Sequence, residues 1–309
     1  MEVKTWTYNE FPDFTEEIED AVRLTTSGNE VGVSYHHDVK YAEVNGISLH
    51  LQILNPFTRN DPDKVYPCIV YVQGSAWMEQ DVYGSCTLLG KLAAKGYVIA
   101  VVQYRHSGIA AFPAQVQDAR NAIRYIRIHA GDYHIDQDNI FVGGSSSGGQ
   151  VAMFCGIVKE GDEMDATLYP GVSAEVKGIL DYYGAVSMLE EDGFPSTLNH
   201  HLPDSPEGMV MGHSNLRERT ELREKATVEC YITHKLDIPP VIIFHGTKDR
   251  TVNVSQSVSL YKKLKACGKN VRLYLLEGAD HGGAEFWTEE VCNIVDNFIK
   301  TLSWPVPGR

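Results

Sequence analysis

Residues 139–153 read Asn-Ile-Phe-Val-Gly-Gly-Ser-Ser-Ser-Gly-Gly-Gln-Val-Ala-Met, an apolar run that enters a turn of glycines and serines and continues into a helix-compatible stretch. Within it, residues 144–148 fit G-x-S-x-G, the pattern of a sharp strand–turn–helix junction with a serine at its tip. Small residues let strand and helix approach closely there, and the helix N-terminus favours negative charge beside it. Only Ser146 has glycine at both flanking motif positions; Ser147 lacks the upstream one, and Ser145 lacks the downstream one and is interpreted as filler. The pattern favours Ser146 as a nucleophile over an inert turn, provided that an acid and a histidine follow in the chain.

The composition is that of a globular protein with a sizeable core. The chain has 309 residues, of which 43% are hydrophobic and 22% charged, and we expect a single domain over residues 1–309. The formal net charge of −14 argues against nucleic acid and against anionic membranes as partners, because both need a basic surface.

The start of the sequence, Met1 to Trp6, shows no basic segment followed by an apolar one, and no apolar run is long enough to span a bilayer. We therefore expect a cytoplasmic protein. The six cysteines are scattered without metal-like spacing, which favours reduced thiols over disulfides.

Apolar runs and helical patterns alternate along most of the chain. Asn45-Gly46 between two alternating runs predicts an antiparallel hairpin at the start of the sheet, and residues 14–24 are compatible with a short amphipathic helix before it. The later strands and helices predict crossover connections, hence a mostly parallel sheet with helices on both faces. The predicted strands are 67–73, 97–104, 139–142, 176–183, 241–244 and 271–276, and the predicted helices are 83–94, 113–129, 150–158, 254–267 and 285–302.

One segment breaks this alternation. Residues 186–238 are rich in charge, proline and histidine, with a helical pattern at 215–226, and the strand–helix rhythm resumes directly after them. We interpret the segment as an inserted cap or lid rather than a second domain.

An acid and a histidine follow Ser146 in loops at the ends of later strands. Asp249 lies after the strand 241–244 and His281 after the strand 271–276, which is the Ser, acid, His order of hydrolases with this elbow. A serine hydroxyl is a poor nucleophile at neutral pH, so a histidine must take its proton and a carboxylate must orient that histidine.

Two neighbours of these residues are weaker alternatives. His245 also follows a strand, but a histidine there is expected to brace the acid loop rather than act as the base. Asp280 adjoins His281, but side chains of consecutive residues in an extended loop diverge, so Asp280 is a poor orienter.

Hydrolysis also needs N–H donors for the oxyanion of the tetrahedral intermediate. The backbone N–H of Ser147 is one candidate, and the loop Gln73-Gly74-Ser75-Ala76-Trp77 supplies Ser75 and Ala76 as candidates for the second. The alternative, an ordinary strand–helix loop, leaves its run of small and polar residues before Trp77 unexplained. Gln73 and Trp77 are also candidates for contact with the substrate.

From about residue 35 the chain resembles the α/β-hydrolase fold, and in detail the branch of hormone-sensitive-lipase-like esterases and bacterial acetyl-xylan and feruloyl esterases. The loop 73–77 stands where many relatives carry His-Gly-Gly-Gly-Trp, with Gln73 in place of the histidine; Ser147 stands where alanine is commoner. Further matching motifs are Tyr104-Arg105, Phe112 to Asp118, Ile135-Asp136 and Ser205-Pro206-Glu207.

The resemblance implies a serine carboxylesterase that needs no metal or organic cofactor. It suggests short acyl or hydroxycinnamoyl groups, acetyl or feruloyl, on a small-molecule or oligosaccharide ester derived from a sugar or a phenolic. An arylformamidase or an exopeptidase-like amidase would use the same triad, and a non-catalytic binding protein of this fold is a third alternative. Trp287, Phe298 and Trp304 near the C-terminus are candidates for exposed surface or for the interface of a homodimer.

Overall fold

The structure is a computed structural model that describes residues 3–189 and 197–303. In these ranges eight strands form one sheet in the order β1-β2-β4-β3-β5-β6-β7-β8. Strand β2 pairs antiparallel with β1 and with β4, and all other neighbouring strands are parallel. The strands are β1 (Gly32–Val44), β2 (Ile47–Phe57), β3 (Tyr66–Val72), β4 (Val98–Val102), β5 (Ile135–Ser145), β6 (Ile179–Tyr182), β7 (Val241–Gly246) and β8 (Val271–Leu276).

The predicted N-terminal hairpin is confirmed. Asn45 and Gly46 join β1 to β2 with φ angles of 52° and 79°. Positive φ at both central residues is what a two-residue type I′ turn requires, and this turn matches the right-handed twist of the paired strands.

Helices cover both faces of the sheet, as predicted. Alternate residues of β4 point into two different apolar clusters, one on each face. Helices α2, α3 and α6 contribute to the first cluster, and α1 and α7 contribute to the second. The helices are α1 (Cys86–Ala93), α2 (Ala114–Ile128), α3 (Ser147–Ile157), α4 (Pro206–Val210), α5 (Thr220–Lys225), α6 (Val254–Ala266) and α7 (Glu289–Ser303).

The short helix predicted at residues 14–24 is wrong. This stretch has no helical structure, and every residue from 3 to 27 is exposed. An isolated helix of this length is marginal in water, and Phe14, Ile18 and Val22 have no apolar surface to bury against.

The predicted insertion at residues 186–238 falls within the connection between β6 and β7. The helix predicted at 215–226 is shorter in the structure, where α5 spans Thr220–Lys225. Val210, Leu216 and Val228 of this connection are buried in the first apolar cluster, so parts of the connection contribute to the core on that face. A lid function for the segment stays a prediction.

The C-terminal helix is interrupted near its predicted start. A 3₁₀ turn spans Ala284–Trp287, and α7 follows as Glu289–Ser303. Trp287 and Phe298 are each 4% exposed and belong to the second apolar cluster, so neither is available for an interface. Trp304 lies outside the described residues. A homodimer stays a prediction without support from these side chains.

Over residues 3–189 and 197–303, none of the helices combines the length and apolarity that crossing a bilayer requires. The cytoplasmic location stays a prediction.

Candidate active site

Ser146 sits alone between the end of β5 at Ser145 and the start of α3 at Ser147, with φ 54° and ψ −125°. A non-glycine residue in such a conformation costs about 1–3 kcal/mol and persists only when its surroundings hold it. Here the Ser146 N–H donates to the Tyr182 carbonyl (2.9 Å), and the Ser146 carbonyl accepts from the N–H of Ala185 (3.0 Å). Strand β6 and its following loop therefore hold the strained residue in place.

The glycines of the junction allow a close approach of α3 to the sheet. A Cβ atom on Gly148 would lie 2.0 Å from the carbonyl oxygen of Val72 at the end of β3. Any side chain here would push α3 away from β3, so this glycine is required by the space available.

The structure brings Ser146, His281 and Asp249 together in one hydrogen-bonded chain. Ser146 Oγ lies 2.9 Å from His281 Nε2, and His281 Nδ1 lies 2.7 Å from Asp249 Oδ2. An ionised carboxylate can only accept, so Nδ1 carries the proton and Nε2 is left to accept from the serine hydroxyl. This is the arrangement in which a histidine can take a proton from serine.

Asp249 is held as a carboxylate by its partners. Its side chain is fully buried, which by itself raises the pKa, but hydrogen bonds from His245 and His281 outweigh burial and keep the pKa well below its usual range. The other carboxylate oxygen, Oδ1, accepts the N–H groups of Thr251 (2.9 Å) and Val252 (2.8 Å). The carboxylate therefore stays ionised near neutral pH.

The two alternative residues, His245 and Asp280, lie where they cannot take the place of His281 or Asp249. His245 is buried behind Asp249, with Nε2 3.1 Å from Asp249 Oδ2 and Nδ1 2.7 Å from Ser257 Oγ. It therefore contacts the carboxylate of Asp249 but not the hydroxyl of Ser146. Asp280 is turned outward and pairs with Arg250, whose Nε lies 2.7 Å from its Oδ2.

The candidate oxyanion loop is tied to the elbow by side-chain oxygens. Ser75 N–H donates to Ser147 Oγ (3.0 Å), and Gly74 N–H donates to Ser145 Oγ (3.1 Å). The interpretation of Ser145 as filler is therefore wrong, since its hydroxyl holds this loop. Among the residues that the structure describes, no acceptor faces the N–H of Ala76 or of Ser147.

The structure corrects the prediction that Trp77 contacts the substrate. Trp77 is 2% exposed, and its indole N–H donates to Gln150 Oε1 (2.9 Å), so the ring is part of the core. Gln73 is half-buried and its amide oxygen accepts the hydroxyl of Ser85. Its contact with a substrate stays a prediction.

Sequence reasoning did not find the roles of Tyr183 and Gln150. The ring of Tyr183 packs edge-on against His281, with ring centroids 4.8 Å apart, and burial raises the pKa of its phenol to about 12. Gln150, on α3, connects Trp77 to the carbonyl of Ala226 in the β6–β7 connection. The role of Gln150 had a signal in the sequence, because it is a glutamine at a helical position inside an otherwise apolar stretch.

In the described ranges, no group of three or more histidine, cysteine, aspartate or glutamate residues is arranged to hold a metal ion.

The sheet order and the strained serine between β5 and α3 define an α/β-hydrolase fold, and solved structures agree with this class. A truncated carbohydrate esterase from gut microbiota has a similar structure, with a TM-score of 0.77 and 24% identity over 90% of this chain and 98% of that one. A bifunctional GH43-CE protein from Bacteroides eggerthii is similar with a TM-score of 0.72 and 25% identity, over 90% of this chain and 39% of that one.

The chain belongs to the BD-FAE family, which it matches over residues 51–264. It is also similar to the esterase LipC of Mycobacterium tuberculosis, with 28% identity over 238 residues, 75% of this chain and 57% of that protein. A probable carboxylic ester hydrolase of the same organism, LipM, is 25% identical over 78% of this chain and 54% of its own length. The chain thus spans little more than half the length of these two curated relatives.

Proposed function

We propose that this protein is a serine carboxylesterase that uses Ser146, His281 and Asp249. One observation carries the proposal: a strained serine at a strand–helix junction lies within hydrogen-bonding distance of a histidine that is itself bonded to a buried carboxylate. The names of the relatives, esterase and carboxylic ester hydrolase, support the same reaction.

In the first half of the reaction Ser146 Oγ attacks the ester carbonyl carbon, and its proton passes to His281 Nε2. The carbonyl oxygen becomes an oxyanion that accepts the N–H of Ser147 and an N–H of the loop 73–77. His281 then gives the proton to the leaving alcohol oxygen as the ester bond breaks, and Ser146 carries the acyl group. Asp249 stabilises the histidine while it is charged.

In the second half a water molecule replaces the alcohol. His281 takes a proton from this water as it attacks the acyl carbon, and returns the proton to Ser146 Oγ when the acid leaves. The same N–H groups stabilise the second oxyanion, so the residues of the first half also serve the second.

For the substrate we propose a short acyl or hydroxycinnamoyl ester, acetyl or feruloyl, of a carbohydrate or a phenolic. Membership of the BD-FAE family and similarity to proteins described as a carbohydrate esterase and a GH43-CE protein support the carbohydrate part of this proposal.

The reaction is tested with Ser146→Ala on p-nitrophenyl acetate and with a fluorophosphonate probe. We expect the variant to lose hydrolysis by at least about 10³-fold and the probe to label Ser146 alone of the three adjacent serines, as located by peptide mapping. Full activity of the variant would refute the proposal. A wild-type protein that neither hydrolyses esters nor takes the label would favour a binding protein of this fold.

The substrate class is tested by comparing kcat/KM across acetylated and feruloylated oligosaccharides, simple aryl esters, formyl-kynurenine and dipeptides. We expect the oligosaccharide or phenolic esters to rank highest. A higher value for formyl-kynurenine or for a dipeptide would instead assign an arylformamidase or an amidase to the same triad.

A further inference from the structure

The elbow and the first turns of α3 hold the loop 73–77 through their side chains. Three hydrogen bonds make this connection, and each donor belongs to the loop while each acceptor lies on the elbow or on α3. They are Gly74 N–H to Ser145 Oγ (3.1 Å), Ser75 N–H to Ser147 Oγ (3.0 Å) and Trp77 Nε1–H to Gln150 Oε1 (2.9 Å).

A buried tyrosine, Tyr104, also holds the loop. Ser75 Oγ donates to the Met78 carbonyl (2.6 Å), so the hydroxyl of Tyr104, 2.8 Å away, donates to Ser75 Oγ. Burial raises the pKa of the Tyr104 phenol to about 12 against the lowering effect of its hydrogen bond with Ser147, so the phenol keeps its proton at neutral pH. Ser75 is thus held by its N–H and by its hydroxyl.

The loop needs such support because its backbone is strained. Ala76 and Trp77 both have φ of 55°, a left-handed conformation that residues with side chains rarely adopt. Two such residues in succession persist only when neighbouring groups hold the loop in place.

We infer that the hydroxyls of Ser147 and Tyr104 are positioning groups for the oxyanion loop, and that Ala76, not Ser75, is the loop's donor to the oxyanion. The inference rests on the proposed ester hydrolysis. The Ser75 N–H is occupied by Ser147 Oγ, whereas the N–H of Ala76 has no acceptor among the described residues. The N–H of Trp77 is also without one, but Trp77 is buried while Ala76 is partly exposed.

Ser147 then has two separate roles. Its backbone N–H is an oxyanion donor, and its side chain holds the residue next to the other donor. Ser147→Ala keeps the first role and removes the second, so this substitution isolates the side chain. The variant removes one hydroxyl, which accepts from the Ser75 N–H and hydrogen-bonds to Tyr104, and it adds no atom.

The first experiment measures kcat and KM for p-nitrophenyl acetate, and inhibition by phenylboronic acid, for Ser147→Ala and Tyr104→Phe. We expect kcat to fall about tenfold for Ser147→Ala and about threefold or more for Tyr104→Phe, with KM within about twofold. The inhibition constant of the boronic acid, whose tetrahedral adduct resembles the intermediate, should rise by the same factor as kcat falls.

The matched control is Ser205→Ala. Ser205 is also a buried serine, and its hydroxyl accepts the N–H of Gly208 at the start of α4, away from the loop 73–77. We expect this variant to melt at a lower temperature with kcat unchanged. This outcome separates a loss of positioning from a general loss of stability.

A second experiment does not depend on turnover. Hydrogen–deuterium exchange of the peptide that contains residues 73–78 should be faster in Ser147→Ala than in the wild type, because the Ser75 N–H loses its acceptor. Replacement of the Ala76 amide by an ester, with lactic acid in place of alanine, should lower kcat about 100-fold, and the equivalent ester at residue 75 should lower it far less.

The inference is overturned if Ser147→Ala has unchanged or higher kcat, since a released Ser75 N–H would then be the better donor, or if the ester at 75 costs more than the ester at 76. These outcomes differ from failure of the proposed function. If the proposed function itself fails, the wild type will hydrolyse no ester and Ser146 will take no fluorophosphonate label.

Discussion

Asp249 and Asp280 lie in neighbouring loops, and their surroundings give them different roles. Asp249 is buried and accepts from His281, Thr251 and Val252, whereas the side chain of Asp280 is bound to the exposed guanidinium of Arg250. A buried carboxylate that accepts several hydrogen bonds is suited to orient a histidine, while an exposed ion pair contributes little.

We therefore predict that Asp249→Asn lowers kcat for p-nitrophenyl acetate by about 10³–10⁴-fold, because the amide no longer favours the histidine tautomer that accepts from serine. Asp280→Asn is the matched control, and we expect its kcat to remain within about threefold of the wild type. A large loss in Asp280→Asn together with a small loss in Asp249→Asn would assign the acid to Asp280.

A second buried carboxyl, Asp181 on β6, affects stability rather than chemistry. Burial outweighs the lowering effects of the nearby His245 and of the Gly184 N–H, and the pKa of Asp181 is raised from 3.8 to about 7. Only one of its oxygens has a hydrogen-bond partner, the Gly184 N–H at 3.0 Å. The folded protein thus binds a proton at Asp181 more tightly than the unfolded chain does.

The pKa of Asp181 is higher in the folded protein than in the unfolded chain, so this group makes the free energy of unfolding decrease as the pH rises from about 4 to about 7. Above pH 7 the stabilisation from the bound proton is lost. We predict that Asp181→Asn removes this pH dependence. The free energy of unfolding of the variant, relative to that of the wild type, should then increase by up to about 4 kcal/mol between pH 4 and pH 8. Urea unfolding at four pH values in this range measures the difference. Parallel curves for the two proteins would contradict the raised pKa.

At the scale of secondary-structure elements, the packing of α3 on β3 depends on the absence of a side chain at Gly148. A Cβ there would overlap the Val72 carbonyl, and backbone cannot rotate away as a flexible side chain would. In α1 the opposite holds, since a Cβ on Gly90 would meet no atom within 4 Å.

These two glycines allow a paired prediction. We expect Gly148→Ala to lower the free energy of unfolding by about 3 kcal/mol and to reduce activity, because α3 and the elbow must shift. Gly90→Ala should raise the free energy of unfolding by about 0.5–1 kcal/mol, since alanine loses less backbone entropy in a helix. Urea unfolding of both variants provides the check, and a neutral Gly148→Ala would show that the junction has more space than the structure gives it.

At the scale of the whole molecule, the N-terminal segment contributes little to the folded core. Residues 3–27 are exposed, and their contacts with the strand-β2 side of the chain are few: the Arg59 guanidinium lies over the exposed ring of Tyr8, and Asn60 bonds to Ser27 and Gly28. Several aromatic and aliphatic side chains are exposed in this segment: Trp6, Tyr8, Phe11, Phe14, Ile18, Val22 and Leu24.

We predict that deletion of residues 1–26 changes the free energy of unfolding by less than about 0.5 kcal/mol and leaves kcat/KM unchanged, because none of the described residues 3–26 is buried. Size-exclusion chromatography in the same experiment should give the same oligomeric state for both proteins. A lower stability, a lower activity or a smaller assembly after the deletion would mean that these apolar side chains have a partner in solution.

Much of the fold was predictable from local pattern. The turn at Asn45-Gly46, the buried runs of β3 and β4, and the elbow at Ser146 each depend on residues that are close in sequence, and all appear in the structure. The helix at 14–24 was predicted wrongly for the same reason, since a periodic pattern says nothing about whether an apolar surface is available to cover it.

The sequence by itself determined the order of strands and helices, the elbow, and the succession of Ser146, Asp249 and His281. These depend on periodicity, on turn chemistry and on spacing along the chain. Only the tertiary structure decided that Asp280 turns to Arg250, that Trp77 is buried against Gln150, and that Ser147 Oγ occupies the Ser75 N–H. Each of these three contacts joins residues 30 to 73 positions apart, so it depends on how elements pack and is not visible in any local pattern.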